Sequence, residues 1–172
     1  MKTLYLLRHA KSDWRDTSLK DIDRPLNPRG RRASENIGHH LNTRGWKVDL
    51  VLCSTAVRAE QTWRGIAALI AEIPQFRSSC SLYQASSTRL LRELQAVSGA
   101  VDRVMLIGHN PEIAETASRL IGAGSESESV RKLERKYPTG GLAVFSVEIG
   151  RWSELVWHSA KLLDFVRPKD LE

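Results

Sequence analysis

Three short apolar runs in this sequence end in side chains that can do chemistry. "LYLLRH" delivers Arg8 and His9 side by side, "VDLVLCS" is followed by Arg58 about one helical turn beyond Ser54, and "RVMLIGH" ends in Gly108-His109. Taken singly, each has an ordinary explanation. A histidine after a strand is more often a surface or hydrogen-bonded residue than a catalyst, Arg8 fits a rim salt bridge, and Arg58 fits a solvated helix position paired with Glu60 or Glu35. Their joint placement carries more weight, because ligands of open α/β sheets collect at the carboxyl ends of the strands. Paired histidines suit zinc. Two guanidinium groups oppose it: like unit charges about 4 Å apart repel by about 4 kcal/mol even at an effective dielectric of about 20. A phosphate dianion reverses that sign, and guanidinium forks match its oxygens two at a time. The residue set therefore predicts an anion pocket with no metal and no cofactor. His39 and His40 are neighbours on a helix, point in different directions and are expected at the surface or an edge.

Several elements must bring those residues to one rim. The runs "TLYLLRH", "VDLVLCS", "RVMLIGH" and "GLAVFSVEI" are too short for helices and rich in Val, Leu or Ile, as buried strands are. Between them lie helical patterns. The first opens at "LNPRG" with Asn27 as cap and Pro28 in the first position, repeats Ala33, Ile37 and Leu41 on one face, and stops near Gly45. The second runs from about Thr55 to Glu72 with Trp63, Ile66, Ala67 and Ile70 inward, closed by Pro74. "STRLLRELQAV" gives a third, and "HNPEIAETASRLIG" a fourth with Asn then Pro at its start. Residues 124–137, "GSESESVRKLERKY", are polar and read as a mobile loop with room for a short helix. "ELVWHSAKLLDFVRP" permits a last strand. Alternating strands and helices predict an α/β fold with a mostly parallel central sheet and helices on both faces. Two helices would then aim their N-terminal N–H groups at the anion pocket.

The chain has 172 residues, 41% hydrophobic and 27% charged, within the range of one domain spanning 1–172. Its net charge of +6 is carried by 26 Lys and Arg spread along the length among 20 acidic residues, so no basic arm predicts a nucleic-acid partner. Cys53 and Cys80 imply no disulfide framework, Cys53 reads as core, and a reducing cytoplasm is expected. "MKTLYLL" is too short for a secretion signal, and no segment approaches the roughly 20 apolar residues that span a bilayer, so no membrane partner is expected.

"LLRHAKSDW", "CSTAVRAEQT" and "LIGHNP", in that order, resemble the signature segments of the histidine phosphatase (phosphoglycerate-mutase-like) superfamily. Short length, the lack of a large inserted lid and "DIDRPLNPRG" resemble its small SixA-type phosphohistidine phosphatase branch. The resemblance runs from about Thr3 to the strand after Thr139 and implies the family's three-layer sandwich. It implies His9 as the nucleophile that becomes a transient phosphohistidine, Arg8, Arg58 and His109 as the clamp on the phosphoryl oxygens, and Arg24 as a further pocket arginine. Chemistry agrees: two displacements replace one difficult one, and nearby arginines keep an imidazole neutral and nucleophilic.

The sequence departs from the family at two points. Ala10 follows His9 where glycine is commonest, and "LYQASSTRLL" offers no carboxylate where many relatives carry a glutamate acid after the third strand. Asp21 is the candidate proton donor, with Asp23 and Asp13 as rivals; each fits equally as a surface carboxylate beside Lys20, Arg24 or Arg15. Ser12, Ser54 and Thr139 either line the pocket or cap and turn the chain. The expected function is a metal-independent phosphatase acting on a phosphorylated protein, phosphohistidine foremost, or on a small phosphorylated substrate. A mutase using the same pocket and a phosphate-binding module without turnover are the alternatives. A mutase must shield its intermediate from water, and this chain has few residues to spare for a lid.

Overall fold

The computed structural model describes residues 1–172. Six strands form one sheet: β1 (Lys2–Arg8), β2 (Leu50–Ser54), β3 (Gln75–Ser79), β4 (Arg103–Gly108), β5 (Leu142–Val147) and β6 (Ala160–Val166). Their order is β3-β2-β4-β1-β5-β6; the first four are mutually parallel, β5 runs antiparallel to β1, and β6, antiparallel to β5, returns to the direction of the first four. Five helices complete the fold: α1 (Pro28–Thr43), α2 (Val57–Ala67), α3 (Ser87–Gln95), α4 (Glu112–Leu120) and α5 (Ser127–Arg135).

Strand periodicity sorts the core into two layers. In β1, Leu4 and Leu6 point into one cluster with Leu90 and Leu94 of α3, Ile113 and Ala117 of α4 and Leu133 of α5. Tyr5 and Leu7 point into the other, with Ile37 and Leu41 of α1 and Ala59, Trp63 and Ile66 of α2. The sheet is thus covered on both faces, giving the three-layer α/β sandwich. Cys53 lies inside the second cluster. No helix is long and apolar enough to cross a membrane.

Helix α1 begins as its sequence specifies: the Asn27 side chain accepts from Gly30 N at 2.8 Å, and Gly45, at φ +63°, ends the segment. Gly30 also permits close approach to the chain leaving β1, since a Cβ there would collide with the Lys11 carbonyl. Four expectations change. Helix α2 stops at Ala67, short of Glu72. Residues 75–79 form an edge strand that polar "QFRSS" conceals, because its side chains are mostly exposed. The segment expected as a mobile loop contains α5, whose Glu126 carboxylate accepts from Glu128 N and Ser129 N, and whose few apolar residues, Val130 and Leu133, stand three apart on one face against the core. Asn110 does not cap α4: Pro111 occupies the cap position behind a cis peptide bond, and the Asn110 amide donates to the Tyr137 carbonyl instead.

Candidate active site

Strand register brings the chemistry to one rim. Arg8 pairs with Gly108, and Cys53 pairs with Ile107, so His9, His109 and Ser54 leave three neighbouring strands at the same level. Backbone bonds fix the exit from β1: His9 N donates to Gly108 O, Gly140 N donates to the carbonyls of Arg8 and His9, and Ala10 N donates to Thr62 Oγ1 at 2.9 Å. Thr62 Oγ1 in turn donates to the Arg58 carbonyl at 2.7 Å, tying the histidine to the helix that carries the arginine. Ala10 is fully buried within that lattice, so the alanine is accommodated without a glycine conformation.

His9, Arg58 and His109 are all buried. His9 Nδ1 lies 2.7 Å from the Ala10 carbonyl, which can only accept, so the ring proton sits on Nδ1 and the lone pair on Nε2. Arg58 Nε donates to that Nε2 at 3.2 Å. Arg58 Nη2 donates to His109 Nδ1 at 3.2 Å, which places the proton of neutral His109 on Nε2, facing Ser54 Oγ at 2.7 Å. The two imidazole centroids are 5.0 Å apart. Ser54 is therefore an orienting residue, accepting from His109 and from Ala56 N.

Burial is the main reason both rings stay neutral. It pushes His9 down to about 3, with the charges of His109, Arg58 and Arg8 adding to it against the opposing pull of the Ala10 carbonyl. His109 is pushed down to about 4 by burial first and Arg58 second, Asp21 opposing. The expectation that arginines keep His9 neutral is thus right in direction but assigns the larger share to the wrong cause. These shifts make a stability prediction. Rings held neutral when folded take up protons more readily when unfolded, so stability is present above the ordinary histidine value near 6.5 and lost as pH falls toward the folded values. Across that window each ring contributes a slope of up to about 1.4 kcal/mol per pH unit. Denaturant unfolding at pH 7, 6 and 5 checks this; a flat profile would contradict the burial of these rings.

Arg8 Nη1 donates to the Tyr137 carbonyl at 2.9 Å, its Nε is inaccessible and without an acceptor, and its charge bears on both histidines. Burial, then Arg58, lowers its own proton affinity. Asp21 also reaches the cluster: its carbonyl accepts from Arg58 Nη1 at 2.6 Å, and its Oδ2 accepts from Arg58 Nη2 at 3.0 Å and from Tyr83 Oη at 2.8 Å. Burial alone would raise this carboxyl, but the bonds from Tyr83 and Arg58 and the charges of Arg58 and Arg24 outweigh it and hold it below the usual range. In this structure the carboxylate, expected as a proton donor, accepts two hydrogen bonds. Of its rivals, Asp13 is held down to about 2 by Arg15, the two joined at 2.6 Å, and Asp23 is exposed.

Arg24 stands at the edge of the site. Its Nε lies 3.7 Å from Asp21 Oδ1, its guanidinium sits 4.0 Å above the Trp14 ring, and it bonds to neither histidine nor Arg58. Ser12 is buried and bridges to Leu26, and Thr139 borders a cavity beside Arg8. His39 is exposed, and His40 packs edge-on against Trp46 at 5.5 Å. Sequence reasoning passes over Tyr83, which bonds Asp21 and lies edge-on to His109 at 5.5 Å. It stands in the same "LYQASS" stretch that lacks a carboxylate, and its place after the third strand was the available signal.

A buried histidine pair bonded by one arginine thus lies at the carboxyl rim of a mostly parallel sheet, and the sequence comparisons give its lineage. The chain belongs to the histidine phosphatase superfamily (branch 1), whose pattern matches residues 4–77. An uncharacterized protein of Mycobacterium leprae is 35% identical over 168 residues, covering 95% of this chain and 100% of that protein. Two solved structures provisionally named phosphohistidine phosphatase SixA are each 32% identical. The one from Nakamurella multipartitia covers 97% of this chain and 96% of its own at a TM-score of 0.84. The one from Agrobacterium tumefaciens covers 97% and 98% at 0.81.

Proposed function

We propose that this protein is a metal-independent phosphatase that works through a phosphohistidine intermediate on His9, with phosphohistidine on a protein as the favoured substrate. One observation carries the mechanism: the Ala10 carbonyl fixes the His9 tautomer, so Nε2 presents its lone pair beside Arg58 in a buried cluster with His109. In the first step that lone pair attacks phosphorus in line, a P–Nε2 bond forms, and the bond to the leaving group breaks with its electron pair. A leaving imidazole departs once protonated, which lessens the need for a strong acid in the site. In the second step water attacks phosphorus, the P–Nε2 bond breaks, the pair returns to His9, and the water's proton leaves to solvent. Arg8, Arg58 and His109 stabilise the oxygens throughout, as phosphoryl transfer relies on positioning and charge. Binding a dianion beside His109 favours its protonation and lets it donate to one oxygen.

A protein substrate is supported by likeness to the SixA-named structures and by short connections at the rim: β2 and β4 pass into their helices through residues 55–56 and 109–111, leaving no inserted cover there. The test compares a phosphohistidine-bearing protein with small phosphate esters, with and without EDTA. The expected result is higher kcat/KM on the phosphoprotein and activity that survives chelation. Preference for small esters would overturn the substrate assignment, and loss of activity in EDTA would overturn the chemistry.

Asp21 acts here by positioning Arg58. Asp21→Asn is expected to lower kcat/KM about tenfold, and by the same factor for aryl and alkyl phosphates, because holding Arg58 is blind to the leaving group. A loss confined to poor leaving groups would restore Asp21 as the acid.

A further inference from the structure

Beside the histidine cluster lies a cavity of about 510 Å³ bordered by 12 residues, eight of them Lys or Arg. We propose that it binds an oligophosphate, a run of two or more linked phosphate groups, as a site distinct from the phosphoryl pocket at His9. The pocket rests on its own cations and shares only Arg8 with the catalytic reading.

Its charge is unbalanced. Arg167 is paired with Asp170 and Lys132 with Glu128, but Arg8, Lys11, Arg29, Arg135, Lys136 and Lys169 have no carboxylate partner. These six come from the exit of β1, the start of α1, the end of α5 and the C-terminal segment. They are scattered in sequence, and only folding gathers them. Like charges crowded around one concavity repel, and an occupant of opposite sign removes that repulsion. A small-molecule site is typically about 300–1,000 Å³, so this one suits a compact ligand.

The lining also narrows the ligand. It offers no aromatic side chain, so a base has nothing to stack on. Apart from the cations it is bordered only by Ala33, Pro138, Thr139 and Pro168, so the directional contacts come from guanidinium and ammonium donors. Linked phosphates concentrate more negative charge in this volume than carboxylates spaced along a peptide. Arg8 joins the two regions, with a buried Nε that still lacks an acceptor.

Calorimetric titration with tripolyphosphate tests the assignment, alongside tungstate as a single phosphate-shaped oxyanion. His9→Ala supplies a background that does not turn the ligand over. Within it, Arg135→Gln combined with Lys136→Gln is expected to weaken tripolyphosphate binding roughly tenfold. Both side chains are exposed and unpaired, so unchanged melting verifies the fold. Arg58→Gln is expected to weaken tungstate but leave tripolyphosphate bound. Lys47→Gln, which removes a cation paired with Glu72 elsewhere, controls for net charge and leaves both affinities as they were. Tripolyphosphate binding that ignores Arg135 and Lys136, or that disappears with Arg58→Gln, would overturn the second site. Tighter binding of a single-stranded oligonucleotide that depends on Arg135 and Lys136 would overturn the choice of ligand. Tungstate binding indifferent to Arg58→Gln would count against the proposed catalytic pocket and leave the oligophosphate site standing.

Discussion

Replacing His9 by alanine is expected to reduce turnover to background, a loss of at least about 10⁴-fold in kcat. No neighbouring group can take its place. Arg8 and Arg58 are cations without a lone pair, and His109 carries its proton on Nε2, toward Ser54, so the nitrogen that His9 offers as nucleophile bears a hydrogen in His109. The variant should still fold, since the β1 exit is held by backbone bonds from His9 N, Ala10 N and Gly140 N rather than by the imidazole. It should also lose part of the acid sensitivity of stability, because one of the rings that burial holds neutral is gone. Initial rates on an activated aryl phosphate, with unfolding curves at pH 7 and 5, check both. Activity equal to wild type would remove His9 from the mechanism.

Arg58→Gln is expected to lower kcat by about 10²–10³-fold, the range for losing a preorganised donor aimed at developing charge. The effect exceeds that of an ordinary surface arginine because this one guanidinium touches His9 Nε2, His109 Nδ1 and both the carbonyl and carboxylate of Asp21. A glutamine fills part of the volume but carries no charge and cannot span those partners. Removing the cation should also raise both histidine values, since Arg58 lowers each of them. The sign follows from linkage: with higher values the rings protonate sooner on acidification, so the acid limb of kcat/KM moves to higher pH. A drop in kcat with an unmoved acid limb would mean that Arg58 does not act on the nucleophile.

Much of this arrangement was legible in the sequence because its causes are local. Apolar runs ending in Arg8-His9 and Gly108-His109 specify strands, and the carboxyl-edge rule for parallel sheets then places their last residues together. Asn27, Pro28 and Gly45 mark α1 through capping and turn chemistry that needs no tertiary partner. Where the reading failed, the deciding contact was distant. Polar β3 is a strand only because β2 offers it an edge, and α5 is held by a two-residue apolar stripe against the core. The contacts of Asp21 with Tyr83, 62 residues away, and with Arg58 likewise exist only in the folded chain. The cations of the cavity come from stretches far apart in the chain, near residues 8–11, 29, 132–136 and 167–169, and their concentration exists only in three dimensions.

The central claim is covalent capture of phosphorus by one nitrogen of His9. Its most direct test is a rapid alkaline quench of the enzyme during turnover, followed by mass spectrometry of the peptide containing residues 4–14. A phosphoryl adduct on His9 Nε2, stable in alkali, lost in acid and absent from His9→Ala, is the predicted result. An adduct on any other residue, an acid-stable ester, or sustained turnover by His9→Ala would contradict it.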